Sequence, residues 1–146
     1  MQAFMIGSVD QMSSDLRVGV RSLLPQLTSP DRLLSESELS RIVSSPHTKL
    51  FVARAGGNII GMISLAVVQM PSGMRSYLED LVVDSAYRRR GVATALLEAA
   101  IDHARRSGAR SLDMTSRPSR RDAIRLYEKM GFRRRETNAF RYTFYK

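Results

Sequence analysis

The chain has 146 residues, of which 43% are hydrophobic, so it can fold as one domain with a buried core, and neither a disordered nor a fibrous protein is expected. It contains no cysteine, which excludes disulfides, thiolate zinc sites and a cysteine nucleophile. The formal charge of +9 is uneven: residues 1–85 hold 7 basic and 8 acidic side chains, whereas residues 86–146 hold 16 and 6. This basic region fits an anionic partner (nucleic acid, a membrane surface or a phosphorylated small molecule) and equally a solvated surface.

The start of the chain lacks the pattern of a signal peptide, because Asp10, Asp15 and Arg17 fall within its first twenty residues. The longest nearly apolar run, 59–68, has ten residues, whereas a membrane span needs about twenty. We therefore expect a soluble, cytoplasmic protein without a membrane partner.

Hydrophobic periodicity divides the chain into alternating strands and helices. In chain order we predict a strand at 4–9, helices at 13–27 and 35–43, strands at 49–55, 58–69 and 77–83, a helix at 91–106, a strand at 110–115, a helix capped by Ser119 and ending at Gly131, and two strands within 132–145. This order predicts an α/β fold with a mixed central β-sheet flanked by helices. Without a repeat or linker, residues 1–146 are expected to form a single domain.

Three local patterns support these predictions. Ser35-Glu36-Ser37-Glu38 has the form of a capping box, and Gly56-Gly57 has that of a two-residue hairpin turn. In the last segment, Phe140, Tyr142 and Phe144 alternate with other residues, as expected for a strand.

The most informative segment follows the strand that ends at Val82-Val83. A short basic loop, Arg88-Arg89-Arg90, leads to Gly91 and Ala93 at the start of a helix. Unpaired N–H groups at a helix N-terminus bind anions, arginines add charge, and small residues allow a close approach of the backbone. The segment therefore predicts a phosphate site, although an ordinary strand-to-helix turn with solvated arginines has the same pattern.

This segment resembles the acetyl-CoA signature of the GCN5-related N-acetyltransferases (GNAT family), in the pattern Arg88-x-x-Gly91-x-Ala93. A second signature of that family is similar to Ala123-x-x-x-Tyr127-x-x-x-Gly131-Phe132. The resemblance implies that two middle strands, near 77–83 and 110–115, splay apart to admit the pantetheine arm of acetyl-CoA. It also implies a set of residues that bind this co-substrate: Leu81, Val82, Val83, Arg88, Arg89, Arg90, Gly91, Val92, Ala93, Thr94, Arg120 and Tyr127. Arg120 stands where many members have asparagine, and it could meet a phosphate of CoA.

The resemblance also implies the catalytic residues. Tyr127 is expected to protonate the departing thiolate, since a phenol with a pKa near 10 carries its proton at pH 7. Glu79 is favoured as the base or amine anchor, with Asp80 as a further candidate. Strand alternation would place Glu79 on the same face as Leu81 and Val83, and Asp80 on the other face. A strand-end salt bridge for the two acids, and a core aromatic for Tyr127, remain the structural alternatives.

The sequence thus predicts an N-acetyltransferase that moves the acetyl group of acetyl-CoA to a primary amine by direct attack. A small-molecule or peptide amine is expected as acceptor. The two separated histidines, His47 and His103, give no metal-ligand pattern, so no metal is expected. A nucleic-acid partner is not favoured, and a homodimer stays open because similar proteins often dimerise. The alternatives are a basic nucleic-acid-binding module and a non-catalytic acyl-CoA-binding domain.

Overall fold

A computed structural model describes residues 3–28 and 32–145, which divide into two compact units, one within Met1–Met114 and one within Thr115–Lys146. The first unit contains, in chain order, β1 (Met5–Ser8), α1 (Ser14–Leu23) with a 3₁₀ turn (Leu24–Gln26), α2 (Glu36–Ser44), β2 (Thr48–Ala55), β3 (Asn58–Met70), β4 (Gly73–Val83), a 3₁₀ turn (Ser85–Tyr87), α3 (Val92–Arg106) and β5 (Leu112–Asp113). The second unit contains α4 (Arg121–Lys129). The predicted α/β fold with a mixed sheet is confirmed.

The sheet has the strand order β1-β2-β3-β4-β5. Neighbours from β1 to β4 are antiparallel, whereas β5 runs parallel to β4 and pairs with it only at Ser76 and Tyr77. Over the described residues, β4 continues to Val83 without a further partner on the β5 side. β4 and β5 therefore part beyond Tyr77 as predicted, although β5 is the edge strand of the described sheet and is shorter than the predicted 110–115.

The core lies on both faces of this sheet. On one face, α1 and α2 cover β2, β3 and β4, and α1 approaches closely at Gly19, where an added Cβ would lie 2.6 Å from the Cβ of Ile59. On the other face, α3 packs over Gly61. The buried residues of the first face include Leu16, Val20, Leu23, Leu39, Met62 and Val82.

Local hydrogen bonds explain several element ends. The capping box is confirmed, because the Glu38 N–H donates to Ser35 Oγ (3.0 Å) and the Ser35 N–H donates to Glu38 Oε1 (3.4 Å). The hairpin at Gly56-Gly57 is also confirmed: both glycines have positive φ, +57° and +83°, as a type I′ turn requires.

The predicted cap of α4 is wrong. The N-cap is Arg120 rather than Ser119, and it makes no side-chain capping bond. The Arg120 N–H donates to the Arg117 carbonyl (3.0 Å), and the Arg120 carbonyl accepts from the Ile124 N–H (3.0 Å). This turn delays the start of the helix by one residue, so the hydroxyl of Ser119 lies outside the capping position.

The two strands predicted within 132–145 are also wrong, since none of these residues is in a strand. The segment carries the expected alternation, but no strand of the described residues pairs with it. Alternation specifies which side chains share a face, whereas a strand also requires a hydrogen-bonding partner. The side chains of Phe140, Tyr142, Phe144 and Tyr145 consequently face solvent.

Candidate active site

The loop between β4 and α3 is held to the sheet and to the first helical region. The Asp84 N–H donates to the carbonyl of Ile60 (2.8 Å), which continues the β3–β4 pairing by one bond. The Asp84 carboxylate accepts from the Ala86 N–H (3.0 Å), and the Ser85 N–H donates to Gln26 Oε1 (3.0 Å). These bonds fix the direction in which the chain enters the loop.

The loop backbone leads into the first N–H groups of α3, which have no intrahelical partner. Arg89 and Gly91 both adopt left-handed conformations, with φ of +62° and +81°. Gly91 is the N-cap of α3, and the first intrahelical bond runs from the Ala95 N–H to its carbonyl (3.1 Å). The N–H groups from Val92 to Thr94 therefore precede the hydrogen-bonded part of the helix, and such a nest at a helix N-terminus binds anions.

The glycine at 91 is explained by backbone conformation. A Cβ added there would meet no described atom within 4 Å, so the site has room for a side chain. The φ of +81° lies in the left-handed region, which costs other residues about 1–2 kcal/mol. Glycine therefore permits the left-handed turn that shapes the nest. Its small size also allows the backbone to approach an anion closely, as inferred from the sequence.

The three loop arginines leave their charges available to a ligand. Arg88, Arg89 and Arg90 are exposed, and none forms an ion pair in the part of the chain that the structure describes. Arg88 Nε donates to the Val83 carbonyl (3.3 Å), and the Arg90 guanidinium lies 5.2 Å from the centre of the Tyr87 ring. The loop combines backbone donors with three cations, which fits the pyrophosphate of CoA.

Gly61, to which the sequence analysis gave no role, determines how close α3 lies to the sheet. A Cβ at this position would come within 3.2 Å of Leu96 Cδ1, Val92 Cγ1 and the Val82 carbonyl oxygen. Glycine at this position of β3 therefore lets the start of α3 pack closely on the sheet, next to the end of β4. The signal for it was an isolated glycine within an apolar strand pattern, which often marks a close approach.

The faces predicted for the two acidic residues are wrong, because β4 contains a bulge. Ser64 pairs with Glu79 and Met62 pairs with Val82, so β4 has one residue more than β3 between these pairs. The bulge breaks the alternation, and Glu79 shares its face with Val82 rather than with Val83.

Asp80 adopts a left-handed conformation in this bulge, with φ of +57°. Its side chain reaches solvent, yet nearby protein atoms partly desolvate it, and this desolvation raises the pKa of its carboxyl above the ordinary value. The Arg32 guanidinium opposes the shift through its charge, but Arg32 is also engaged with Glu38 at 2.6 Å. A strained backbone and a raised carboxyl pKa coincide at Asp80, as is frequent at functional sites.

The second unit contains the other predicted site residues. Tyr127 is buried on α4, where its ring packs edge-to-face against Phe132 at 6.1 Å between ring centres. The Phe132 N–H donates to the Tyr127 carbonyl (3.0 Å), and Gly131 has φ of +102°, which is the Schellman end predicted for this helix. Burial raises the pKa of the Tyr127 hydroxyl, and the charge of the exposed Arg120 opposes this shift.

Two features are not found over residues 3–28 and 32–145. No helix there combines the length and the apolar character that crossing a membrane would take. No group of three or more His, Cys, Asp and Glu side chains there is placed to hold a metal ion.

A model of the acetyltransferase (GNAT) family matches residues 19–132, so the chain belongs to this family. Rat N-acetyltransferase family 8 member 2 is 28% identical over 100 residues, which cover 67% of this chain and 44% of the relative. N-alpha-acetyltransferase 30 of Schizosaccharomyces pombe is 30% identical over 105 residues, which cover 65% of this chain and 70% of the relative. The match thus spans less than half the length of the rat relative.

Solved structures share the fold. The aminoglycoside N-acetyltransferase AAC(6')-Iy in complex with CoA matches with a TM-score of 0.79 at 22% identity, over 99% of this chain and 97% of that chain. The expected GNAT fold is confirmed. The family model is one of acetyltransferases, which agrees with the expected acyltransferase, and the AAC(6')-Iy structure holds CoA.

Proposed function

We propose that this protein is an N-acetyltransferase that moves the acetyl group of acetyl-CoA to a primary amine by direct attack. The observation that carries the proposal is the loop from Arg88 to Thr94, whose left-handed residues, helix N-terminus and unpaired arginines fit a diphosphate. Acetyl-CoA would supply an activated acetyl group as a thioester. The loop would hold its pyrophosphate, and the exposed backbone side of Leu81 to Val83 would pair with its pantetheine arm.

The acidic pair on β4 would receive the acceptor amine. Asp80 is the better proton acceptor because its raised pKa lies closer to the working pH, where a general base is most effective. Glu79, the residue favoured from the sequence, is then the amine anchor. Its exposed carboxylate would attract the ammonium form of the substrate before the proton is lost.

Tyr127 would return a proton to the departing thiolate. Burial raises the pKa of its hydroxyl, so the phenol stays protonated throughout the neutral range and is available as an acid. Arg120, exposed at the N-cap of α4, would contact a phosphate of CoA.

The acceptor is proposed only as a class. Relatives are named for N-terminal amines of proteins and for aminoglycosides, so a peptide amine and a polycationic small molecule are both proposed acceptors. We also propose that the protein works in the cytoplasm, where acetyl-CoA and such amines would meet it. A panel of peptides, polyamines and aminoglycosides, assayed by thiol release, identifies the acceptor class.

The test of mechanism is Tyr127→Phe, which keeps the ring against Phe132 and removes only the hydroxyl. We expect kcat to fall by about 100-fold or more, the usual contribution of a positioned acid, with acetyl-CoA binding unchanged. Unchanged turnover would refute the assignment of the acid. Acetyl-CoA binding with no turnover on any amine would leave the alternative of an acyl-CoA-binding domain.

The base is tested by comparing Asp80→Asn with Glu79→Gln. Asparagine tolerates the left-handed backbone, so Asp80→Asn changes the charge and leaves the bulge intact. In the wild type, kcat/KM should rise with pH as Asp80 loses its proton, above the ordinary pKa of 3.8. Asp80→Asn should lower kcat and abolish this rise, whereas Glu79→Gln should mainly raise the KM for the amine. The reverse pattern would make Glu79 the base.

A further inference from the structure

A separate cavity lies at the other end of α3 from the loop proposed to hold acetyl-CoA. It is lined by side chains from the last turn of α3, from the segment 45–47 and from the facing ends of β2, β3 and β4, and its volume is about 440 Å³. Small-molecule sites usually have about 300–1,000 Å³. His103 follows Val92 by eleven residues on α3, so the cavity lies about 17 Å along the helix from the N–H groups of the loop.

The cavity combines an apolar floor with a basic polar lining. The floor is formed by the buried Leu65 and the half-buried Val67 and Met74. Three basic side chains line the same cavity, namely His47, Lys49 and His103. Among the residues that the structure describes, no aspartate or glutamate lines it. This lining fits a ligand that carries a negative charge on an apolar body.

The basic groups are available to such a ligand. In the described part of the chain, neither the His47 nor the His103 imidazole has a hydrogen-bond partner. The His103 ring is held by edge-to-face packing against Phe51, with 5.7 Å between the ring centres. Lys49 Nζ lies 3.2 Å from Asp10 Oδ1, but the Asp10 side chain is 69% exposed, so solvent weakens this ion pair.

The surroundings of His103 favour an added negative charge. Desolvation lowers the pKa of its imidazole, the charges of Lys49 and Arg106 lower it further, and only Asp102 opposes them. Asp102 is itself paired with Arg106 at 3.0 Å, and His47 adds a further basic group to the cavity. A carboxylate bound there would stabilise the protonated imidazole and offset its repulsion by Lys49.

We propose that this cavity is a second binding site, which takes a small carboxylate with an apolar body. The carboxylate would meet Lys49 and His103, and the apolar body would cover Leu65 and Val67. An inorganic anion fits less well, since it would leave the apolar floor in contact with water. The inference does not rest on the proposed function, because neither the loop from Arg88 to Thr94 nor the β4 bulge takes part.

An NMR titration with benzoate tests the proposal, with benzamide as the matched neutral probe. At about pH 6, benzoate should shift the His103 imidazole signals to saturation with a Kd of about 1 mM or tighter, which suits so small a ligand. Benzamide and inorganic phosphate should each bind at least about 10-fold more weakly, because benzamide lacks the charge and phosphate lacks the apolar body. The affinity for benzoate should rise as the pH falls from about 7.5 to about 5.5, since the ligand stays ionised and favours protonated His103.

Variants of the lining test which groups hold the carboxylate. His103→Gln and Lys49→Gln should each weaken benzoate binding at least about 10-fold, and His103→Gln should also reduce the pH dependence. The matched control is Arg105→Gln, which removes an exposed charge from the same turn of α3, outside the cavity lining, and should bind benzoate like the wild type. Thermal melting like that of the wild type shows that each variant is folded.

Three results would overturn the proposal. Benzoate could bind no more tightly than benzamide, or both His103→Gln and Lys49→Gln could bind it like the wild type. Benzoate could also leave the His103 signals unchanged and shift only the amides of the loop from Arg88 to Thr94. A failure of the proposed function would instead appear as lost acetyl transfer or lost CoA binding, with the benzoate titration unaffected.

Discussion

The two units of the chain use their apolar side chains differently. The first unit buries a continuous cluster between its sheet and helices, with Leu16, Leu23, Leu39 and Met62 nearly inaccessible to solvent. In the described part of the second unit, Tyr127 is the one buried residue, and the aromatic side chains within 140–145 lie exposed. Similar sequence patterns therefore led to different outcomes, because burial depends on whether the chain supplies a covering surface.

The two units also support the proposed site residues to different degrees. The nest of the loop and the bulge at Asp80 both belong to the first unit, where packing on two faces of the sheet holds them in strained conformations. Left-handed residues such as Asp80 and Arg89 persist only where their surroundings determine the backbone. The proposed acid, Tyr127, packs its ring against the partly buried Phe132 within its own unit.

The largest effect is expected from Gly19→Ala, which disrupts the packing of the first unit. The new methyl group would lie 2.6 Å from the Cβ of Ile59, which cannot move without its strand. We expect a loss of about 2–3 kcal/mol, measured as a fall in Tm of about 6–10 °C. The matched control is Gly7→Ala, where no atom lies within 4 Å of the new methyl group. Equal melting of the two variants would contradict the close approach of α1.

In the second unit, the corresponding change is Gly131→Ala. The φ of +102° is unfavourable for alanine, so the variant should lose about 1–2 kcal/mol at the end of α4. Hydrogen exchange of the Phe132 amide, which bonds to the Tyr127 carbonyl at 3.0 Å, should become faster. Exposed Lys129→Ala serves as the control and should leave this exchange rate unchanged.

A smaller effect is expected at the start of α2. Ser35→Ala removes the hydroxyl that accepts from the Glu38 N–H, which should cost about 1 kcal/mol in a chemical denaturation experiment. Ser37→Ala, two residues further on and without a capping role, should be neutral or slightly stabilising. A similar loss in both variants would show that the cap is not the cause.

The smallest expected effect is the pH dependence of stability that comes from Glu38, in the same capping box. The Arg32 ion pair and the Ser35 N–H lower the pKa of Glu38 from 4.5 to about 2. A carboxyl with a lowered pKa in the folded state stabilises the fold above its unfolded pKa, and this contribution is lost as the pH falls from about 4.5 to about 2. An NMR titration of the Glu38 carboxyl should show this midpoint, and Arg32→Gln should raise it. An unchanged midpoint in that variant would remove Arg32 as the cause.

Structural features that depend on residues close together in the chain could be predicted from the sequence. The capping box at Ser35, the turn at Gly56-Gly57 and the basic loop before α3 are short-range patterns, and all three form as predicted. The bulge at Asp80 could not be predicted, because it depends on the register with β3. Gly61 carried only the general signal of an isolated glycine in a strand, and neither Gly61 nor Gly19 indicated its neighbour, since a close approach depends on an element distant in the chain.

Calorimetry with CoA and with phosphate-free pantetheine tests directly whether the loop from Arg88 to Thr94 holds the phosphates of acetyl-CoA. The wild type should bind CoA far more tightly than pantetheine, because the nest and the arginines recognise phosphate. Gly91→Ala, which disturbs the nest, should reduce this preference, whereas pantetheine should bind the variant and the wild type alike. Two results would contradict this role of the loop. The wild type could bind CoA no more tightly than pantetheine, or Gly91→Ala could keep the full preference for CoA.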